Sequence, residues 1–179
     1  GNECQRLQRY GKRNGNGEPA THTHVSAPAP ICVGQSATLT ASGGTNYQWN
    51  TGANTASITV SPGSTTTYTV TVTNANGCSA TASGTVTVNP LPTPSVSAPA
   101  PICVGQSATL TASGGTNYQW NTGANTASIT VSPGSTTTYT VTVTSAAGCS
   151  ATASGTVTVN PLPTPSVSAP APICVGQSA

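Results

Sequence analysis

Charged side chains are almost absent from this chain. Of its 179 residues, 4 are Lys or Arg and 2 are Asp or Glu, so 3% are charged against about 25% in an ordinary soluble domain. From Val25 to Ala179 the sequence contains no Asp, Glu, Lys, Arg or His. That stretch therefore has no general base near neutral pH except a thiolate, no carboxylate for calcium and no basic side chain for phosphate. We predict no enzyme activity, catalytic residue, cofactor, metal site or nucleic-acid partner.

Long apolar runs are also missing, and so are Met and Phe. No stretch is long enough to span a bilayer, so we predict no membrane insertion in this segment. No signal peptide is recognisable either. A hydrophobic core must be built from Trp, Tyr, Leu, Ile and Val.

A tandem repeat accounts for most of the sequence. Residues 25–95 and 96–166 are two copies of a 71-residue unit that differ at only two positions, Asn74 against Ser145 and Asn76 against Ala147. A third copy begins at Val167 and is identical as far as Ala179. We expect the chain to be an internal segment of a longer polypeptide.

Residues 1–24 do not match the repeat, although by position they should close a preceding copy. Reading the repeat from Val72 to Ser95 one nucleotide early, with synonymous codons, gives Gly1 to Thr23 as observed. Loss of one G then turns a serine codon into that of His24 and restores the frame at Val25. We interpret residues 1–24 as an out-of-frame translation with no stable fold, on which Cys4 is no evidence for a disulfide. The alternative is a genuine basic tail.

Alternation of apolar and polar residues predicts β strands throughout the repeat. It is seen in residues 36–41, 47–49, 58–60, 68–73 and 85–88, and no segment has a helical period. Turn signals separate these runs, namely Gly43-Gly44, Ser61-Pro62-Gly63 and Asn76-Gly77. Several short strands around a Trp favour an all-β, two-sheet sandwich.

Four motifs in fixed order strengthen this prediction. They are Ile31 to Leu39 (ICVGQSATL), Tyr47-Gln48-Trp49, Thr67 to Thr73 (TYTVTVT) and Asn76-Gly77-Cys78. The combination resembles the bacterial Ig-like and PKD-like repeats of very large secreted surface proteins, including adhesins exported by the type IX route. The resemblance implies tandem Ig-like β-sandwich domains. It also implies that Trp49 and Trp120 are the core Trp of a central strand, and that Tyr68 and Tyr139 open a late strand as in a tyrosine corner.

Two Cys per repeat predict disulfides and an oxidising compartment. A domain this small is marginal without a covalent link, and closing the Cys32–Cys78 loop would add about 4 kcal/mol by chain entropy. We expect Cys32, Cys78, Cys103 and Cys149 to be oxidised, whereas the alternative is buried free thiols. Co-occurrence favours pairing within a copy, Cys32 with Cys78 and Cys103 with Cys149. In Ig topology these positions lie at opposite ends, so pairing of Cys32 with Cys149 of the next copy remains open.

Pro-rich segments divide the array. We predict a disordered segment over 1–24, repeat 1 over 25–89, a linker over 90–95, repeat 2 over 96–160, a linker over 161–166 and the start of repeat 3 over 167–179. The Asn89-Pro90-Leu91-Pro92-Thr93-Pro94-Ser95 sequence favours extended polyproline geometry and a semi-rigid spacer.

The most consistent function is a non-catalytic structural or adhesive stalk segment of a large secreted bacterial surface protein. The alternative is a carbohydrate- or surface-binding module that uses exposed Thr, Gln and Asn, and ice binding by Thr ladders is a further alternative. Expected partners are neighbouring repeats of the same chain and, for an adhesin, surface glycans or other cells. The expected location is extracellular, at the cell surface.

Overall fold

The computed structural model describes residues 23–169, 172 and 174–176. The chain forms two compact units. Unit 1 contains the first copy of the repeat as far as Pro92 and, in addition, residues Ser145–Ser150 of the second copy. Unit 2 contains Thr93–Thr144 and the chain from Ala151 onward. The boundary between Pro92 and Thr93 falls within the segment predicted as a linker.

Every regular element within the described residues is a β strand, as the alternation predicts. The first copy contains β1 (His24–Val25), β2 (Ile31–Cys32), β3 (Ala37–Ser42), β4 (Asn46–Trp49), β5 (Ser57–Val60), β6 (Thr66–Thr73), β7 (Ser79–Val86) and β8 (Val88–Asn89). The five longer strands overlap all five runs of alternating residues, although residue 36 precedes β3 and the run 85–88 continues past the end of β7 into β8. The short strands β1 and β2 were not foreseen, and neither was the first half of β7. None of the described residues forms a helix that could cross a membrane.

The strands of the first copy form two main sheets. One has the order β1-β3-β5 and the other the order β4-β6-β7, with antiparallel pairing throughout. The short β2 runs parallel to β8, with Ile31 opposite Val88 and Cys32 opposite Asn89. The two sheet orders correspond to the A-B-E and C-F-G sheets of immunoglobulin domains. The copy is an Ig-like β-sandwich without a strand D.

Apolar residues at every second position form the core between the sheets. Strand β3 alternates buried and exposed residues along its whole length, with Ala37, Leu39 and Ala41 inward. Trp49, at the end of β4, is 2% exposed. The remaining large core side chains are Val25, Ile58, Tyr68, Val70, Val72 and Val86. Thr and Ser occupy the outward positions, which solvates the strands without charge.

Gly84 lies where side chains of the opposite sheet pack closely against the backbone of β7. A Cβ atom at this position would lie 2.5 Å from Cγ1 of Val25 and 2.8 Å from Cδ2 of Leu39. Both contacts are shorter than van der Waals packing permits, so the inward position of β7 accepts only glycine here. The first half of β7 is mostly exposed, which explains why it carries small and polar residues and shows no apolar alternation.

The second copy repeats the architecture. Its strands are β9 (Ser95–Val96), β10 (Ile102–Cys103), β11 (Ala108–Ser113), β12 (Asn117–Trp120), β13 (Ser128–Val131), β14 (Thr137–Thr144), β15 (Ser150–Val157) and β16 (Val159–Asn160). The sheet orders are β9-β11-β13 and β12-β14-β15, with β10 parallel to β16. Its fully buried side chains include Leu110, Trp120, Val141, Val143 and Val157.

Both predicted boundaries of the copies shift by one residue at their first strands. His24 pairs with Ser42 in β1, so the expectation that no residue up to position 24 pairs with the array is wrong at its last residue. Ser95, predicted as linker, likewise pairs with Ser113 in β9. The hydrogen bonds between strands involve backbone groups only, so His24 can occupy in β1 the position that Ser95 occupies in β9. The part of that prediction that concerns residues 1–22, including Cys4, lies outside the described residues.

Candidate functional site

The first candidate site is the end of unit 1 at which β2 meets β8. The Cys32 amide donates to Oε1 of Gln35 at 2.9 Å, and the Gln35 amide donates back to the Cys32 carbonyl at 3.0 Å. Gly34 adopts a φ of 88° in this turn, a conformation that glycine accepts at no steric cost. The Val33 amide donates to the Asn89 carbonyl at 3.1 Å. These bonds hold the Cys32 side chain in a fixed place beside β8.

The turn that includes Cys149 completes this site. The Ser145 amide donates to the Cys149 carbonyl at 2.8 Å, and the Gly148 amide donates to the Ser145 carbonyl at 3.0 Å. Gly148 has a φ of 82°, so this tight turn also depends on glycine. Cys149 is 0% exposed, and its Sγ atom lies 3.9 Å from the carbonyl oxygen of Asn89.

A disulfide joins Cys32 to Cys149 with a Cα–Cα distance of 5.6 Å. The two residues are 117 positions apart in sequence and belong to different copies of the repeat. A loop of this length raises the chain-entropy contribution from about 4 to about 5 kcal/mol. The bond therefore closes a covalent ring that includes most of both copies.

The favoured pairing within one copy is wrong. Cys78 directly precedes β7, whereas Cys32 pairs with Asn89, beyond the other end of that strand. The eight residues from Cys78 to Val86 rise about 26 Å at 3.3 Å per residue, and a disulfide requires Cα atoms within about 7 Å. The same strand length separates Cys103 from Cys149 in the second copy.

The remaining cysteines differ in state. Cys78 also belongs to a disulfide. Cys103 and Cys174 are free and exposed, so the expectation that Cys103 is oxidised is not met within this chain. Among the described residues, no cluster of three or more His, Cys, Asp or Glu could hold a metal ion.

The aromatic residues named from the sequence are structural. Trp49 donates from Nε1 to the Thr55 carbonyl at 2.8 Å, and Trp120 makes the equivalent bond to Thr126 at 2.9 Å. Tyr68 is buried in the core and Tyr139 packs against the core of its copy.

A bond of the tyrosine-corner kind is made by another tyrosine of each copy. The Tyr47 hydroxyl donates to the upstream Gly44 carbonyl at 2.8 Å, and Tyr118 donates to Gly115 at 2.9 Å. Sequence reasoning placed Tyr47 in a motif but gave it no role. The sequence feature that could have indicated this bond is the Gly43-Gly44 turn signal, which ends three residues before Tyr47.

Rows of hydroxyl groups cover the outer faces of both sheets. Thr38 pairs with Thr59 and Thr40 with Ser57 on one sheet, at 3.2 and 2.9 Å. On the other sheet the pairs are Thr67–Thr85, Thr69–Ser83 and Thr73–Ser79, at 2.9, 3.2 and 2.8 Å. Cross-strand hydroxyl pairs stabilise a sheet, so these groups already bond one another before any ligand is considered.

A polar groove in unit 2 is the second candidate site. It has a volume of about 400 Å³ and lies along β12 and β14. Its lining consists of Thr116, Asn117, Tyr118, Gln119, Asn125, Thr142 and Thr144. Amide and hydroxyl groups beside a tyrosine ring can bind neutral polar ligands, but they offer no acid, base or charge for chemistry. No motif in the sequence indicated this groove.

Several solved structures with immunoglobulin domains align with this chain at low sequence identity. Hemolin, an insect immune protein, aligns at 19% identity with a TM-score of 0.40, over 76% of this chain and 46% of its own. The first two Ig domains of DIP-gamma align at 14% identity and 0.37, over 77% and 96%. Immunoglobulin domains 1–4 of Sidekick-1 align at 15% and 0.36, over 77% and 48%. The chain thus spans less than half of the hemolin and Sidekick-1 chains.

No protein-family model matches the chain, and neither does any curated protein. The TM-scores of the three structures are too low to add to the assignment. The Ig-like fold therefore rests on the strand order of each copy.

Proposed function

We propose that this chain is a non-catalytic stalk segment of an adhesin-type protein, located extracellularly at the cell surface. The observation that carries the proposal is the Cys32–Cys149 disulfide, which locks 117 positions of the chain into one covalent ring. Tension between the chain ends passes through that bond and cannot extend the residues inside the ring. Disulfides persist in oxidising compartments, which supports an extracellular location.

The surface supports the same proposal. Its outward Thr and Ser hydroxyls bond one another across strands, and no ionisable residue other than Tyr and Cys follows His24. Such a surface is suited to solvation and spacing, so the partners of this segment are neighbouring repeats of its own chain. The bacterial, PKD-like and type IX context is proposed from the sequence motifs alone. The nucleotide sequence around codons 1 to 25 and beyond both ends tests that context and the frame interpretation.

The second candidate function is binding of a neutral glycan or another surface, and the groove along β12 and β14 favours it. Gln119 is exposed in this groove, and Gln48 is its counterpart in the first copy. A glycan array probed with the intact chain separates the two functions. A stalk segment gives no signal that depends on these side chains.

A matched pair of variants decides the origin of any signal. Gln48→Ala with Gln119→Ala alters the β4 and β12 edges, whereas Thr38→Ala with Thr109→Ala alters the opposite sheets. Binding that is lost in the first variant and kept in the second would establish the module as a binder. Equal signals from both variants and the unaltered chain would leave the stalk proposal standing.

A further inference from the structure

The end of unit 2 repeats the local structure that holds Cys32 in unit 1. Cys103 lies opposite Asn160 in the parallel pair of β10 and β16, as Cys32 lies opposite Asn89. The Val104 amide donates to the Asn160 carbonyl at 3.2 Å, and the Cys103 amide donates to Oε1 of Gln106 at 3.3 Å. The backbone and the thiol are thus presented as they are in the copy that carries a disulfide.

The two ends differ in what covers them. In unit 1, Cys32 and Asn89 are half-buried, and Cys149 is bonded there. In unit 2, Cys103 and Asn160 are exposed. The nearby leucine follows the same trend, with Leu162 59% exposed against 45% for Leu91. Unit 2 therefore presents, uncovered, the surface that receives the Ser145–Ser150 turn in unit 1.

We propose that this surface of unit 2 is a docking site for the Gly-Cys turn of another copy of the repeat, and that Cys103 forms a disulfide with that copy's counterpart of Cys149. We infer this occupant from unit 1, where the Ser145–Ser150 turn supplies the Cys149 that is bonded to Cys32. Its turn is uncharged, depends on a left-handed glycine and buries its cysteine beside an asparagine carbonyl. Each repeat would then carry one receiving and one inserting cysteine. The inference goes beyond the stalk function, because it specifies a partner and a covalent contact.

Bond formation requires an oxidant, for which a small-molecule disulfide such as oxidised glutathione suffices. The Cys103 thiolate attacks it, forming a mixed disulfide and releasing one glutathione thiolate. The incoming cysteine thiolate then attacks the Cys103 sulfur and releases the second. The two protons of the protein thiols end on the two reduced glutathione molecules. The new disulfide and the lost glutathione disulfide account for both electrons.

Cys174 is the matched control for a thiol that is merely accessible. It has the same preceding and following residues as Cys103 in sequence and is likewise free and exposed. It belongs to none of the strands in the described part of the chain. A docking site should therefore favour Cys103, whereas simple collision of thiols should treat both cysteines alike.

The test mixes two full-length chains in a glutathione redox buffer. The donor carries Cys32→Ser, Cys103→Ser and Cys174→Ser, which frees Cys149. One acceptor carries Cys174→Ser and the other carries Cys103→Ser. We expect Cys103–Cys149 cross-links to exceed Cys174–Cys149 cross-links by at least about tenfold, equivalent to 1.4 kcal/mol, in non-reducing peptide mapping. Equal yields from the two acceptors would overturn the docking site.

A second measurement guards against a donor that fails to fold. A peptide with the sequence of Ser145–Ser150, activated as a mixed disulfide, is offered to the unaltered chain beside a scrambled peptide. Preferential modification of Cys103 over Cys174 by the native sequence supports docking. The same labelling ratio with both peptides contradicts it. Neither outcome depends on the glycan array, so failure here is distinguishable from failure of the stalk function.

Discussion

Mechanical extension gives the sharpest test of the cross-copy disulfide. Load applied at the two chain ends passes through the Cys32–Cys149 bond and leaves the enclosed residues under no tension. These residues span 117 positions, and at about 3.6 Å per residue their contour length is about 420 Å. Pairing within a copy would hide much less, because Cys103 and Cys149 are 46 positions apart, or about 165 Å.

The experiment pulls single molecules that carry Cys4→Ser, Cys78→Ser and Cys174→Ser, first oxidised and then reduced. These substitutions leave Cys32, Cys103 and Cys149, so either pairing can still form. We expect reduction to lengthen the fully extended chain by about 420 Å. It should also reveal two unfolding steps of similar force, because the copies differ at only two positions.

The matched control adds Cys32→Ser and should show the longer chain without reductant. An increment near 165 Å would show that Cys103 pairs with Cys149 instead. No increment at all would mean that these thiols are not oxidised, and the role of the disulfide in carrying load would be refuted.

Three further predictions concern the sandwiches themselves. Gly84→Ala should destabilise unit 1 by about 1–3 kcal/mol in urea unfolding, because its Cβ would meet Val25 and Leu39. Gly63→Ala, where a Cβ meets nothing within 4 Å, should change stability by less than about 0.5 kcal/mol. Trp120→Phe should cost unit 2 about 1–3 kcal/mol, since the Thr126 carbonyl loses its donor; a neutral result would mean that this bond contributes nothing. In a Trp49→Phe background, where Trp120 alone reports on unit 2, the urea midpoint should stay constant between pH 4 and 7. Unit 2 contains no carboxylate or imidazole side chain, so protonation differences between folded and unfolded states vanish there; a sloping pH profile would contradict this.

The sequence predicts the longer strands well because their burial alternates. In β3 and β6, apolar residues face the core at every second position, and this period is visible without coordinates. Strands β1, β2 and β8 have two residues each, which is too few for any period to register. The first half of β7 could not be predicted for a different reason, since it is mostly exposed and carries no buried apolar residues from which a period could be read.

The number of cysteines per copy predicts that disulfides form, but it does not predict which cysteines pair. Two cysteines in every copy suggest one bond per copy, and this inference ignores that identical copies can exchange partners. The length of the strand between the two cysteines decides the pairing, and that length is known only from the structure. Cys78 and Cys32 are separated by the length of β7, so the bond within a copy is impossible even though both residues lie in one domain.

Identity between copies has a consequence for the assembly of the array. A surface that receives the turn of one copy can receive the same turn from any other copy, because the repeat supplies both surfaces in each unit. Within one copy the receiving and inserting cysteines are separated by the length of one strand, β7 in the first copy and β15 in the second, so such a contact is heterologous. This arrangement accounts for a chain in which Cys32 is bonded and Cys103 is free. If Cys103 bonds as we propose, the same link would join further copies without any change in the sequence of the repeat.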